Sequence, residues 1–290
     1  MRLITFRADG QSRVAVMRDD DELVEIDEAT DMLALIESGA EGLAAARSAL
    51  SSNRAKAHRL GAVELLSPIP LPRGNVIAIG RNYQKHAAET AAVEGREPSP
   101  PTVFSKAITS VTEPFADIAI DPGVSDKIDW EVELGVVIGA KGANINRSDA
   151  RRHVFGYTVF NDVTARDIQS GWGGQYFKGK SLDRSSPMGP WIVTADEIPD
   201  PQNLGLQLHV NGVQKQDGNT RDMIYSVEAV IEWVSIGLTL LPGAIIATGT
   251  PDGVGFARTP PEFLKPGDVM ETEVEKVGKL RNRIVSAGRD

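Results

Sequence analysis

Short apolar segments with the composition of strands follow one another from Asn75 to the end of the chain, separated by glycine and proline turns. Examples are WEVELGVVIG at 130–139 and GYTVFND at 156–162. Helical spacing of apolar residues is confined to the segments 83–92, 147–153 and 226–240. Because strands and helices do not alternate regularly, the pattern predicts a β-rich α+β domain with a mixed sheet. It argues against a doubly wound sheet and against a barrel of βα units.

The first 70 residues differ from the rest in the order of their strand-like and helical segments. Three strand-like runs, RLITF, RVAVM and ELVEI, precede two segments at 31–37 and 41–50 that have the apolar spacing of amphipathic helices. The segment LSPIPLPRG at 66–74 has the proline content of a linker. We therefore predict a small α/β domain at 1–70 and a large β-rich domain at 71–290. Within the large domain, Asn211-Gly212 between two apolar runs predicts a hairpin.

Composition and charge exclude several classes of function. The 290 residues contain no cysteine, which removes disulfides, thiolate metal sites and cysteine nucleophiles. A net charge of -9 without a basic run gives no electrostatic reason to bind nucleic acid or an anionic membrane. No apolar stretch approaches the roughly 20 residues that span a bilayer, and the N-terminus lacks a signal peptide pattern. We expect a cytoplasmic protein with small-molecule partners.

Glu131 and Glu133 lie two residues apart and lead into the apolar run 134–138. In a strand, this spacing places both side chains on one face, close to the edge of the core. Two carboxylates in such a position repel each other unless a positive group neutralises them. The alternative is a half-exposed strand with its charges in water, which is the interpretation we give to the triplet Glu271, Glu273 and Glu275.

Asp162 ends the apolar run 156–161 and offers a third carboxylate, although a helix cap is an equally simple explanation. Three carboxylates completed by water are typical of Mg²⁺ or Mn²⁺, whereas Zn²⁺ favours imidazole and thiolate. The four histidines are widely spaced along the chain and do not suggest a zinc site.

His86 and Glu89 are three residues apart in the predicted helix 83–92. On a helix they are neighbours, so the carboxylate could orient the imidazole as a general base. A surface ion pair is the commoner explanation of such a pair.

Residues 174–181, GQYFKGKS, match the phosphate-loop pattern G-x-x-x-x-G-K-[ST]. That loop functions only between a buried strand and a helix N-terminus. Here QSGWGG precedes it, and Pro187 and Pro190 follow closely. The match therefore does not predict nucleotide hydrolysis, but Lys180 remains of interest as a lysine in a glycine-flexible loop.

Six segments, taken in order, resemble the fumarylacetoacetate hydrolase family: GRNYQKHAAE, WEVELGVVIG, YTVFNDVTARDIQ, GKSLDRSSPMGP, LHVNGVQKQ and ATGTPDGVG. The resemblance extends from about Leu71 to the C-terminus and is specific because all six segments occur in order. It implies a catalytic domain of fumarylacetoacetate hydrolase type, a small N-terminal domain and a homodimer.

The resemblance also implies a Mg²⁺ or Mn²⁺ ion bound by Glu131, Glu133 and Asp162. The larger eukaryotic-type members supply a further aspartate shortly before the dyad histidine. This chain has Ile79 and Arg81 in that segment. A three-carboxylate site completed by water, as in the smaller members, is therefore expected.

The remaining site residues follow from the same resemblance. His86 and Glu89 match a dyad that activates water, and Lys180 and Gln169 match residues that polarise the substrate. Lys178 is an alternative to Lys180, but the K-S-x-D…P-x-G-P frame aligns on Lys180. Two further residues match positions that line the substrate site, namely Arg166 and Thr250.

The dyad favours hydrolysis of a C–C bond in a 2,4-dioxo acid, such as an acylpyruvate or a fumarylacetoacetate-like compound. The alternative is an isomerase or decarboxylase of 2-oxo or 2-hydroxydienoate acids, for example oxaloacetate or the aromatic-degradation intermediate 2-hydroxyhepta-2,4-diene-1,7-dioate. Outside the family, a nucleotide hydrolase would bind nucleotides through Lys180. A non-catalytic metal-binding protein would show only metal-dependent stability.

Overall fold

A computed structural model describes residues 1–52, 54–94 and 102–288. Strands dominate it, as predicted. They are β1 (Arg2–Ala8), β2 (Gln11–Met17), β3 (Glu22–Glu25), β4 (Ala57–Arg59), β5 (Glu64–Leu65), β6 (Val76–Gly80), β7 (Thr102–Lys106), β8 (Val111–Thr112), β9 (Ile118–Ile120), β10 (Ile128–Asp129), β11 (Val132–Ile138), β12 (Val154–Asn161), β13 (Thr164–Ala165), β14 (Ser186–Thr194), β15 (Gly205–Val210), β16 (Val213–Asn219), β17 (Ile245–Ala247), β18 (Val269–Val274) and β19 (Gly278–Ser286). The helices are α1 (Met32–Glu37), α2 (Ala40–Ser51), α3 (Gln84–Glu94), α4 (Arg166–Gly171), α5 (Phe177–Lys180) and α6 (Val227–Val234).

The largest sheet mixes parallel and antiparallel pairs in the order β4-β3-β2-β1-β14-β12-β11-β17-β6-β7. Its central strands β11 and β12 are buried at every position. Burial on both faces explains why their sequences are almost continuously apolar and do not alternate. The mixed, β-rich architecture confirms the predicted fold class.

The N-terminal strands continue this same sheet, because β1 pairs with β14 through Leu3 and Ile192. The buried side chains of α1 and α2 also share one apolar cluster with Val137 and Phe155 of the central strands. The predicted division into two domains at residue 70 stays a prediction.

A second sheet has the order β16-β15-β18-β19-β9 and packs beside β11 and β12. Its β15–β16 hairpin turns at Asn211 and Gly212, whose φ angles of 52° and 76° are left-handed, which confirms the predicted turn. On β18, Met270 and Val274 point inward. Glu273 is exposed, as expected for a half-exposed strand.

Two of the helical segments, 226–240 and 147–153, are shorter than their patterns predicted, whereas the segment 83–92 forms α3. Residues 226–240 form a helix only to Val234, and the backbone N–H of Ser235 caps it. Gly237 then has a left-handed φ of 65°, typical of the end of a helix, and Leu238 is exposed. In the segment 147–153, the structure has only a 3-10 turn, Ala150–His153. In the described ranges, no helix is both long and apolar enough to cross a bilayer.

Candidate active site

Glu131 immediately precedes β11 and Glu133 is its second residue, and the two are 4% and 1% exposed. A half-exposed strand with charges in water is therefore the wrong interpretation of this pair. Asp162, fully buried, follows β12. Because Val132 pairs with Asn161 across the two antiparallel strands, Asp162 comes next to Glu131. The Asp162 backbone N–H donates to the Glu131 carbonyl oxygen at 2.9 Å.

Buried cations surround these carboxylates. The Lys180 Nζ atom donates to Glu131 Oε2 at 2.7 Å and to Asp162 Oδ2 at 2.8 Å. Lys106, with no exposed surface, donates to Asp162 Oδ1 at 2.6 Å. Arg166 donates through its NH2 group to Glu131 Oε1 at 2.6 Å.

Arg166 is held in turn by Asp129, whose Oδ2 accepts from the Arg166 Nε at 2.8 Å. The buried network thus contains four carboxylates, including that of Glu133, but only the three cations Lys106, Arg166 and Lys180 among the described residues. Glu133 makes no ion pair within this network, and its Oε2 accepts from the backbone N–H of Gly249 at 2.8 Å.

The charge distribution shifts the pKa values of the two glutamates in opposite directions. Burial alone would raise the pKa of Glu131, but Lys180 and Arg166 outweigh it and lower this pKa to about 2. For Glu133, burial raises the pKa well above its usual range, and the charges of Asp162 and Glu131 raise it further. The cluster therefore disfavours the charged form of Glu133 unless a further positive group neutralises it.

This cluster fits a hard divalent cation. Glu131, Glu133 and Asp162 each offer one carboxylate oxygen, and these oxygens lie within 4.8 Å of one another. Oxygen donors of this type are those that Mg²⁺ and Mn²⁺ prefer. A cation at this position would relieve the repulsion that acts on Glu133.

His86 and Glu89 lie on α3, and His86 Nδ1 is 2.9 Å from Glu89 Oε1. His86 is only 6% exposed, so the pair is not a surface ion pair. Asn82, just before α3, anchors the start of the helix. Its side chain donates to the carbonyl oxygens of Tyr225 and Thr248 at 3.0 and 2.8 Å.

The turn at 248–256 connects the dyad to the carboxylates through its backbone. Besides the Gly249 contact with Glu133, the Gly253 N–H donates to the Glu89 carboxylate at 3.2 Å. The N–H groups of Gly255 and Phe256 donate to Asp129 at 2.7 and 3.0 Å. One segment thus contacts a candidate metal ligand, the dyad carboxylate and the partner of Arg166.

The remaining predicted residues divide between cleft and surface. The Gln169 Oε1 atom accepts from Arg166 NH1 at 3.0 Å, which leaves its amide N–H groups as donors. Thr250 is buried and lines the cleft. Lys180 is buried at the end of the single helical turn α5, whereas Lys178 is exposed. No strand precedes this turn, since α4 comes before it, so the loop lacks the frame of a phosphate loop.

A single cleft brings most of these side chains together, and its walls include the aromatic rings of Phe104, Tyr176 and Phe256. Phe256 packs on the Arg166 guanidinium at 4.3 Å from the ring centre, and Phe104 lies 5.1 Å from the Lys180 Nζ. The lining side chains that were predicted as site residues are His86, Glu131, Glu133, Arg166, Gln169, Lys180 and Thr250. Asp162 lies behind this lining and contacts it through Lys180.

Sequence reasoning missed Asp129 and Lys106. Asp129 continues the alternation of Glu131 and Glu133 backwards by two residues, so period-two spacing was the signal that could have found it. Lys106 ends the strand β7, and nothing local distinguishes it from a surface lysine.

Comparison with known proteins relates the chain to one family of enzymes. Residues 75–285 match the family described as fumarylacetoacetate (FAA) hydrolase, C-terminal. Oxaloacetate tautomerase YisK of Bacillus subtilis (strain 168) is 45% identical over 227 residues, which are 78% of this chain and 75% of the relative.

Two solved structures are similar over the whole chain. Fumarylacetoacetate hydrolase from Exiguobacterium antarcticum superposes with a TM-score of 0.86 at 35% identity, covering 99% of this chain and 100% of its own. Maleylpyruvate hydrolase from Sphingobium sp. SYK-6, solved with manganese (II) and pyruvate, has a TM-score of 0.82 at 29% identity and the same coverage. The chain therefore belongs to the fumarylacetoacetate hydrolase family.

Proposed function

We propose that this protein is a divalent-metal-dependent tautomerase of a small 2-oxo acid, with oxaloacetate as the first substrate to test. One observation carries the proposal: His86, held by Glu89, lines the same cleft as Lys180, which is held by Glu131 and Asp162. The relative named as an oxaloacetate tautomerase is 45% identical, whereas the two solved hydrolases are 35% and 29% identical. The similarity thus favours the predicted alternative over C–C hydrolysis.

Tautomerisation of oxaloacetate moves one proton between C3 and the oxygen on C2. The reaction needs a base near C3 and a positive donor near the C2 oxygen, and it needs no attacking water. Glu131, Glu133 and Asp162 are the residues that would hold Mg²⁺ or Mn²⁺, which when bound supplies a Lewis acid for the 2-oxo carboxylate group.

We assign the base to His86. When Glu89 accepts from the Nδ1–H group, the neutral ring has its lone pair on Nε2. The Gly253 backbone N–H in turn holds the Glu89 carboxylate, at 3.3 Å from Oε1 and 3.2 Å from Oε2. The imidazole is therefore oriented by two successive contacts, as a general base requires.

We assign the donor at the C2 oxygen to Lys180. Burial alone would lower the pKa of this amine, but Asp162 and Glu131 outweigh burial and raise it. Lys180 consequently remains an ammonium group at neutral pH and stabilises negative charge that develops on the substrate oxygen. The Gln169 amide donates to the same substrate, while Arg166 holds Glu131 and Gln169 in place.

The test is the relaxation of enol oxaloacetate to its keto form, followed by ultraviolet absorbance with Mg²⁺ or Mn²⁺ and again after chelation. We expect metal-dependent acceleration that His86→Ala lowers about 100-fold, the usual contribution of a general base. His209→Ala is the matched control because His209, on β15, does not line the cleft.

Proton NMR of the same protein with acetylpyruvate separates the other activities. Metal-dependent release of acetate and pyruvate without tautomerase activity would contradict the proposal and favour C–C hydrolysis. Conversion of oxaloacetate into pyruvate as the only metal-dependent reaction would favour a decarboxylase.

A further inference from the structure

Gln216, on the outer strand β16 of the second sheet, is 1% exposed and contacts the site from behind. Its Oε1 accepts from the backbone N–H of Val132, which lies between Glu131 and Glu133, at 3.0 Å. Its Nε2 donates to Thr250 Oγ1 at 2.8 Å and to the Pro251 carbonyl oxygen at 2.9 Å. Both ends of the carboxamide are therefore engaged.

These partners fix the orientation of the carboxamide. The Val132 N–H can only donate and the Pro251 carbonyl can only accept, so the Gln216 oxygen must face the former and its nitrogen the latter. It follows that the third contact is a donation from Gln216 to the hydroxyl oxygen of Thr250. The Thr250 hydrogen is then directed away from Gln216.

Thr250 lines the cleft and is 2% exposed, and Gln216 is its only side-chain hydrogen-bond partner in the described parts of the chain. Its backbone has little freedom, because Gly249 on one side is bound to Glu133. On the other side, Pro251 packs so closely on Gly218 of β16 that a Cβ there would lie 2.4 Å from the proline Cβ. The position of the Thr250 hydroxyl group is thus fixed, and so is its role as a donor towards the cleft.

We infer that Gln216 is a positioning residue that orients the Thr250 hydroxyl as a hydrogen-bond donor to the substrate. This inference rests on the proposed function, because it requires an anionic 2-oxo acid in the cleft. Gln216 itself acts through Thr250, and its contact with the Val132 N–H fixes the orientation of its own carboxamide.

The test is a double-mutant cycle on ligand binding. Oxalate, a planar dianion that resembles the enolate of a 2-oxo acid, is titrated calorimetrically into the Mn²⁺-loaded protein. We expect Gln216→Met and Thr250→Val each to weaken oxalate binding about tenfold, the effect of one hydrogen bond to a charged group. The double variant should be no more than about threefold weaker than either single variant, because both changes remove the same interaction.

Two further variants distinguish this role from a purely structural one. Thr250→Ser keeps the hydroxyl and should restore oxalate affinity to within about threefold of the wild type. Gln214→Met changes an exposed glutamine of the same strand and should have no effect.

The outcomes separate the inference from the proposed function. If the effects of Gln216→Met and Thr250→Val are additive, Gln216 does not act through Thr250 and the inference is wrong. Should Gln216→Met fail to fold, wild-type affinity in Thr250→Val would by itself overturn the inference. A wild-type protein that neither binds oxalate nor tautomerises oxaloacetate would instead contradict the proposed function.

Discussion

Lys178 and Lys180 are two residues apart in α5 and have opposite environments. Lys180 is 2% exposed and bonded to two carboxylates, whereas Lys178 is exposed. We expect Lys180→Met to lower kcat/KM for oxaloacetate about 100-fold, since it removes a donor for developing negative charge. Lys178→Met should change it less than about twofold.

Metal binding separates a catalytic role of Lys180 from damage to the site. Lys180→Met removes a positive charge from Glu131 and Asp162, so Mn²⁺ affinity should not fall. Titration of Mn²⁺ by electron paramagnetic resonance measures this directly. Loss of activity accompanied by loss of Mn²⁺ binding would show that the variant disrupts the site, and a Lys178 effect equal to that of Lys180 would contradict the assignment.

Candidate site residues could be predicted from the sequence where a regular spacing or the end of an apolar run marked them. Glu131 and Glu133 were found through their spacing and Asp162 through its place at a strand end. Lys106 and Gln216 could not be found in this way, because their partners are distant in sequence: Asp162 is 56 residues from Lys106, and Val132 is 84 residues from Gln216. Only the fold brings such pairs together.

Among the elements, the N-terminal strands have an ionic cluster of their own across β2, β3 and β4. Glu25 of β3 is 5% exposed and lies 2.5 Å from His58 Nε2 and 3.1 Å from Arg13. Lys56 is 3.6 Å away. Burial alone would raise the pKa of Glu25, but His58, Arg13 and Lys56 outweigh it, so the pKa is lower than usual.

This cluster makes stability depend on pH. Because the pKa of Glu25 is lower in the folded than in the unfolded chain, ionised Glu25 stabilises the fold above the unfolded pKa. The contribution is lost as the pH falls through the folded pKa. We expect Glu25→Gln to lower the free energy of unfolding by about 2 kcal/mol at pH 7, with a smaller difference from the wild type below about pH 4.

Urea unfolding at several pH values measures both effects. Glu64→Gln in β5 is the matched control, because the Arg7–Glu64 pair in the same sheet is exposed and contributes less than about 1 kcal/mol. A Glu25→Gln difference that stays constant down to acid pH would contradict the assigned pKa shift.

The elements that could be predicted best are strands in which apolar residues alternate with polar ones or follow one another without interruption between clear turn signals. Strands β1, β2, β3, β11 and β12 follow such runs, and the hairpin at Asn211-Gly212 follows its turn signal. Helix α6 ends earlier than its apolar spacing predicted. Periodicity continues past Val234, but Gly237 adopts a left-handed conformation that ends the helix. Local backbone geometry therefore outweighed the pattern.

For the whole molecule, the fold class followed from the order of strand-like and helical segments and the family from the order of six motifs, and the comparisons confirm both. The continuation of the N-terminal strands into the main sheet was not predictable, because it depends on the pairing of β1 with β14. The paired residues Leu3 and Ile192 are 189 residues apart along the chain. The homodimer and the cytoplasmic location stay predictions, because neither follows from contacts within one chain.

Repulsion among the buried carboxylates of Glu131, Glu133 and Asp162 links cation binding to the stability of the entire fold. A cation that binds only the folded chain stabilises it by about 2.7 kcal/mol at a concentration of 100 Kd. We therefore expect Mn²⁺ or Mg²⁺ to raise the melting temperature by several degrees and chelation to reverse the increase. Differential scanning calorimetry with and without the metal measures the change.

Glu133→Gln separates metal binding from unspecific salt effects. Without metal, this variant should melt at a higher temperature than the wild type, because it removes the free-energy cost of burying the Glu133 carboxyl group beside Glu131 and Asp162, which the raised pKa reflects. It should also lose most of the metal-dependent increase. Glu273→Gln, which neutralises an exposed glutamate of β18, should keep that increase. An equal metal-dependent increase in Glu133→Gln and the wild type would show that the cation does not bind at these carboxylates.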